Sequence, residues 1–483
     1  MTETAPWPPM LMPSGAYRRA EEIADGGGGP RPLPPFGAPD ALSFPRTVER
    51  RPRGGPRIVT VPVSGASTVE VRVQLPFVAS GPEETALAEL LSAVLFAGTA
   101  RLGDREVSWD TALATGRFQT ARTTEWLILA GHCEAAEMPA LLGLLAERLR
   151  RPHYAEERVR QEVRRIAEAA GILRAQPRRT VLRALNQGRY GRLGCFDELP
   201  SADVVHRLTA QDVREAHERI LVPDRADVLI VGDIEGDTEG EAAADAVQRA
   251  LADWSGRPAA PPRPPVREDR PERGRRALVH RPDAVQAHIA MSLPALGPQD
   301  PRYPAQAVAN AVFGGYFSSR LVTDIREREG LTYHAQSRFE RTLGEMSIVV
   351  EAVCATAAAE QVVARTEAAM RRLITEPPDE REVDGARRFL SGSLLMATAS
   401  QSDLANLISS LSCWGIDLDW IESYPRALLE VTPADVAAVA AEIFGAGPSH
   451  GVVVGDVDAL SRPLAPFGYR PTPRTPAPEG EEL

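Results

Sequence analysis

At 483 residues the chain exceeds one ordinary hydrophobic core, so two or more domains are expected. Its 43% hydrophobic and 25% charged residues are those of a globular protein, and a formal net charge of −11 argues against a general nucleic-acid binder or a protein drawn to an acidic membrane surface. Cys133, Cys195, Cys354 and Cys413 are too scattered for a disulfide frame or a metal cluster and read as buried thiols.

Residues 1–55 form a Pro- and Gly-rich tail that buries too little apolar surface to offset its ordering entropy. Its start lacks a basic region followed by an apolar run, and no window approaches about 18 uninterrupted apolar residues, so a cytoplasmic address is expected. From Pro56 the pattern turns regular. Arg57–Val63 and Thr68–Phe77 alternate apolar and polar, which predicts two half-buried strands. Glu83–Phe96 predicts a helix with Leu87, Leu90, Leu91, Val94 and Leu95 on one stripe. A strand at Trp126–Gly131, helices at Ala135–Leu149 and Ala155–Ile172, and a strand at Asp227–Val231 complete a first domain over residues 56–256. Such a mixture of strands and long helices is α+β.

Residues 257–276, rich in Pro and then in charge, read as a linker. Beyond it the order repeats over residues 277–468. His288–Leu293 is a strand, Gly297-Pro298 answers Gly81-Pro82, and Tyr303–Phe313 is the helix again, ending in Phe-Gly-Gly. Met346–Cys354 answers Leu127–Cys133, and Ala357–Ile374 is another long helix. The offset drifts from 216 to 221 residues, as in a diverged duplication. Residues 469–483 are a second Pro-rich tail.

The densest motif lies in the second copy: Gly314-Gly315, Ser318-Ser319-Arg320-Leu321, then Ile325-Arg326 and Gly330-Leu331-Thr332-Tyr333. Arg326 on a helix and Tyr333 just past the terminating glycine both offer hydrogen-bond donors to a carbonyl oxygen if they converge, but spacing alone reads more simply as a surface charge and a core-edge aromatic. The stretch resembles the C-terminal-domain signature of the pitrilysin/insulinase (inverzincin) metallopeptidase family, which includes mitochondrial processing peptidase. Ile325 stands where the family has Leu. The resemblance implies two homologous α+β domains forming half of a clam-shell. It also implies that Arg326 and Tyr333 hold a substrate carbonyl opposite a zinc site, with Gly314 and Gly315 among the substrate-binding positions.

The family's zinc motif, His-x-x-Glu-His, belongs on the first helix, where residues four apart share a face. The matching stretch here is Ala86-Leu87-Ala88-Glu89-Leu90-Leu91-Ser92-Ala93, followed by Val94-Leu95-Phe96-Ala97-Gly98-Thr99. Glu89 and Ala93 stand at the histidine positions and Ser92 at that of the general base. The third ligand's place falls near Ala169, with Glu168 turned about 100° away. The family's Asn-Ala on the substrate-pairing strand corresponds to Gln119-Thr120. One carboxylate does not hold catalytic zinc, so no metal is expected in this chain. The eight histidines (132, 153, 206, 217, 280, 288, 334 and 450) offer no pair four apart as a substitute.

The resemblance therefore implies the metal-free subunit of a heterodimeric bacterial zinc peptidase. Its partner would be a homologous subunit carrying His-x-x-Glu-His and the zinc, and its substrate a peptide, for example the leader of a peptide natural product. The alternative is a non-catalytic scaffold or peptide-binding protein, like the core subunits of a respiratory complex.

Overall fold

The computed structural model describes residues 47–63, 67–96, 117–191, 201–234, 240–256 and 274–472, all within one compact unit. The first half contains β1 (Val48–Arg50), β2 (Arg57–Pro62), β3 (Thr68–Pro76), α1 (Pro82–Val94), β4 (Arg117–Arg122) and β5 (Trp126–Glu134). It continues with α2 (Met138–Arg150), α3 (Glu156–Arg174), α4 (Pro177–Tyr190), α5 (Ala202–His206), α6 (Ala210–Ile220), β6 (Asp227–Gly232) and α7 (Glu241–Ala250). The second half runs β7 (Arg275–His280), β8 (Gln286–Pro294), α8 (Tyr303–Asn310), α9 (Arg320–Val322), β9 (Thr332–Thr342) and β10 (Glu345–Ala355). After these come α10 (Ala359–Thr375), α11 (Glu380–Ala397), α12 (Gln401–Cys413), α13 (Asp419–Glu430), α14 (Pro433–Ile443), β11 (His450–Gly455), α15 (Val457–Leu464) and β12 (Arg470–Pro471).

The strands build two six-stranded mixed sheets, ordered β1-β2-β6-β3-β5-β4 and β12-β7-β11-β8-β10-β9. The inner five of each correspond one to one. β2–β6 and β7–β11 are the parallel pairs, and the neighbours beyond them run antiparallel. The outermost strands break the symmetry, because β1 is antiparallel to β2 whereas β12 is parallel to β7. Both lie in segments read from sequence as tails. Arg50 of β1 is paired with Glu241 and Asp245 on α7, and Tyr469 just before β12 is buried against Arg276.

One face of each sheet packs on its own half's helices, forming the two main cores. The other face was expected to be open to solvent, and it is not. The halves exchange a helix. α12 of the second half covers Val59, Val61, Leu229 and Val231 with Leu404, Ala405, Ile408 and Leu411. In return α4 of the first half lays Val181 and Leu185 on Ala290, Val349, Val452 and Val454. The polar residues that made β3 and β10 look half-exposed are consequently buried, and Arg72, Gln74 and Glu351 find partners across the exchange. Arg72 donates to Asn406 Oδ1, Gln74 Nε2 to the Ser409 carbonyl and hydroxyl, and Arg178 pairs with Glu351 at 2.9 Å.

Candidate functional site: an arginine between two aromatic rings

α8 does not end in an ordinary turn. It widens into a π-helical stretch at Ala311–Gly315, and α9 widens again at Thr323–Arg328. π-turns of this kind cluster at functional sites. The first needs its glycines: a Cβ on Gly314 would stand 2.8 Å from Ser337 Oγ, and one on Gly315 would stand 3.1 Å from the Asn310 carbonyl. Gly314 is buried and Gly315 half-buried, so the space they leave is used for docking β9 against the end of α8.

Arg320 fixes the segment from below. Its guanidinium grips Glu382 of α11 through two bonds of 2.7 and 2.6 Å and donates to the Glu376 carbonyl at 2.7 Å. Arg365 of α10 holds the second π-turn by pairing with Glu329 at 2.7 Å and Asp324 at 3.4 Å. Gly330 closes the turn at φ +61°, where an L side chain is strained, while the Leu331 N–H donates back to the Ile325 carbonyl at 2.9 Å.

Arg326 sits on this rigid platform. Its guanidinium carbon lies 4.7 Å from the centroid of the Phe317 ring and 4.8 Å from that of Tyr333. The cation is thus held between two π-faces, each worth about 0.5–1 kcal/mol at an exposed site. Nε reaches Glu327 at 3.3 Å. Among the described residues neither Nη atom nor the Tyr333 hydroxyl has a hydrogen-bond partner, and Tyr333 is 85% exposed. Two surface donors therefore stand side by side.

The register explains why Tyr333 points there. His334 pairs with Val353 and Thr332 with Cys354, so Tyr333 is the extra residue of a β-bulge at the start of β9. Bulges re-aim side chains in this way. Phe317 was missed by sequence reasoning. Its signal was an aromatic, 58% exposed in the structure, wedged between Gly-Gly and Ser-Ser-Arg-Leu.

The corresponding place in the first half is built quite differently. α1 starts with Pro82 at its first turn and Glu83 and Glu84 at its positive end, as helix starts favour. Glu89 is paired with Arg122 of β4 (Nε to Oε2 3.6 Å). Ser92 turns its hydroxyl back onto the Ala88 carbonyl, and Ala93 packs on the core. Thr120 spends its hydroxyl on the Ser92 carbonyl, while Gln119 is exposed on the edge strand. Across on α3, Ala169 is half-buried and Glu168 exposed. These residues do not fit zinc: the nearest carboxylate is neutralised by an arginine, which cannot be a ligand. Among the described residues no group of three or more His, Cys, Asp or Glu is placed to hold a metal ion.

Known proteins resemble this chain in sequence and in fold. Residues 207–390 match the family model described as the peptidase M16 inactive domain. An uncharacterized zinc protease of Streptomyces coelicolor is 26% identical over 409 residues, covering 83% of this chain and 88% of that protein. A probable inactive metalloprotease of Bacillus subtilis is 25% identical over 154 residues, covering 30% of this chain and 33% of that protein. The crystal structure of a peptidase M16 inactive domain from Pseudomonas fluorescens superposes with TM-score 0.72 at 18% identity, covering 85% of this chain and 98% of the other. The periplasmic protease PqqL from Escherichia coli superposes with TM-score 0.69 at 15% identity, covering 91% of this chain and half (50%) of PqqL. At such identities the structural likeness speaks to the fold. With motif, fold and matches taken together, residues 207–390 match the peptidase M16 inactive domain and the chain as a whole resembles M16, pitrilysin-like proteins, without their zinc-binding motif at the matching positions.

Proposed function

We propose that this chain is the metal-free subunit of a heterodimeric zinc peptidase. It closes the chamber against a homologous partner that carries His-x-x-Glu-His and the zinc. The observation that carries this reading is the clamped, solvent-facing Arg326 beside the Tyr333 hydroxyl, on a chain whose own zinc positions hold Glu89, Ser92 and Ala93. Preorganised donors matter most where charge develops, here the oxygen of a peptide carbonyl attacked at the partner's zinc. Gln119 and the neighbouring β4 edge are the positions proposed to line the peptide's path, and Gly314 and Gly315 shape the platform under Arg326. The substrate is a peptide, and the leader of a ribosomally made peptide is one class within that reading.

No helix among the described residues is long and apolar enough to cross a membrane. A cytoplasmic address remains our proposal, in keeping with Cys133, Cys354 and Cys413 being free thiols; burial pushes Cys133 up to about 11 and the other two up to about 12. Such thiols stay protonated and are poor nucleophiles.

The test is mutational. In a mixture with a His-x-x-Glu-His homologue encoded in the same genome, Arg326→Ala and Tyr333→Phe should each lower kcat by about 10²–10³-fold, the usual cost of one such donor. Co-elution of the two chains should be unaffected. Unchanged turnover in both variants would remove the role.

A further inference from the structure

The donors around Arg326 outnumber what a single carbonyl oxygen accepts. The Phe317 and Tyr333 rings lie against the guanidinium carbon at 4.7 and 4.8 Å, and Nε lies 3.3 Å from a Glu327 carboxylate oxygen. Nη1 and Nη2 remain, and among the described residues neither donates a hydrogen bond. The acids next along the turn are engaged elsewhere, since Arg365 holds Glu329 at 2.7 Å and Asp324 at 3.4 Å. The Tyr333 hydroxyl, on a side chain 85% exposed, is a further donor beside them.

Counting donors separates two kinds of acceptor. A carbonyl oxygen has two lone pairs and no charge, so it leaves one of these groups unmet. A carboxylate has two oxygens, about four lone-pair sites and a negative charge. Its planar fork matches two parallel guanidinium N–H bonds and still leaves a lone pair for the phenol.

Hydrolysis of a peptide creates that acceptor. Water adds to the carbonyl carbon, the C–N bond breaks, and the nitrogen leaves as an amine carrying a proton from that water. The N-terminal fragment keeps both oxygens as a carboxylate. One of them is the oxygen that Arg326 and Tyr333 are proposed to hold during attack, and to that extent the inference rests on the peptidase-subunit reading.

We infer that Arg326 and Tyr333 bind the C-terminal carboxylate of a peptide, so that the N-terminal product of a cleavage is retained by this chain. Phe317 and Tyr333 are both exposed, so the site is open to such a peptide on the chain alone, without partner or zinc.

The experiment is ligand-observed fluorine NMR with the full chain alone. The probe is an alanine hexapeptide with 4-fluorophenylalanine next to last, as the free acid and as the C-terminal amide. The acid should bind, and the amide should bind at least about ten-fold more weakly. An amidated peptide ending in Glu should fall below the acid, which separates a chain terminus from a side-chain carboxylate. Arg326→Ala should abolish the difference between acid and amide, and Arg326→Lys should keep part of it, because an ammonium supplies charge without the fork. Tyr333→Phe should weaken the acid about two- to ten-fold, and at an exposed position it carries the test if Arg326→Ala fails to fold.

Equal binding of acid and amide, no binding of the acid at millimolar concentration, or undiminished binding by folded Arg326→Ala would overturn the inference. So would complete displacement of the acid by millimolar inorganic phosphate at constant ionic strength, which would mark a general anion site. Cleavage by the mixed enzyme that depends on Arg326, with no difference between acid and amide here, would overturn this inference and leave the subunit reading standing. An Arg326-dependent difference without cleavage in the mixture would support the carboxylate site and remove that reading.

Discussion

α1 with β4, and α8 with β9, occupy equivalent places in the two halves, yet they have diverged in opposite directions. In each, a helix near the start of the half leans on the sheet's outermost strand. In the first half the side chains at the chemically critical positions have turned inward or paired off: Glu89 to Arg122, Ser92 to its own helix, Ala93 to the core. In the second half two π-turns, a bulge, a left-handed glycine and an Arg320–Glu382 pair all act to hold one guanidinium and one phenol at the surface. Local irregularity costs stability, and it persists where surrounding structure over-determines it. Its presence in one copy and not the other is what the proposed role of Arg326 and Tyr333 rests on.

Substitutions at the supports break the comparison most strongly. Ile408→Ala, in the helix exchanged between halves, should cost about 2–4 kcal/mol in denaturant unfolding, because the site is sealed between two elements. Arg320→Ala should cost about 2–3 kcal/mol, since it strands the Glu382 carboxylate and the Glu376 carbonyl that the guanidinium satisfies. Gly330→Ala meets no atom within 4 Å, so its cost, about 1–2 kcal/mol, comes from φ +61° alone. Phe317→Leu should leave unfolding unchanged and lower turnover of the mixed enzyme about two- to five-fold, the worth of one ring against the cation. Glu89→Ala should do least: less than about 1 kcal/mol in stability, with neither zinc content nor turnover changed. A larger effect at Glu89 than at Phe317 would reverse the assignment of the two regions.

The pH dependence separates fold from site. His217 is buried, with Nε2–H donating to the Leu149 carbonyl at 3.0 Å and Nδ1 accepting from the Tyr154 hydroxyl at 2.7 Å. Both contacts suit the neutral ring, and burial lowers its proton affinity below the ordinary histidine range. The unfolded chain therefore binds a proton that the folded chain resists as pH falls through about 6.5, so stability drops below that pH and is level above it. The same profile is expected in Arg326→Ala, and it should flatten in His217→Gln.

Much of this was legible beforehand because it is local. The strand and helix periods, the Gly-Pro that opens α1 and its answer at Gly297-Pro298, and the unbroken spacing from Gly314 to Tyr333 all lie within short windows. The register of α1 against the family pattern likewise exposed Glu89, Ser92 and Ala93. What escaped is non-local. Nothing in Thr68–Phe77 says that a helix more than three hundred residues away will cover its polar face; Arg72 and Gln74 read as solvent-facing until Asn406 and Ser409 meet them. The bulge at Tyr333 exists only once β9 is set against β10. Phe317's role likewise depends on where two π-turns place Arg326.

The central claim is tested most directly by peptide cleavage with this chain alone, with the His-x-x-Glu-His homologue alone, and with a 1:1 mixture, zinc being quantified in each. The account predicts cleavage in the mixture far above either component, with zinc carried by the homologue and none by this chain. Stoichiometric zinc together with cleavage in this chain alone would contradict it.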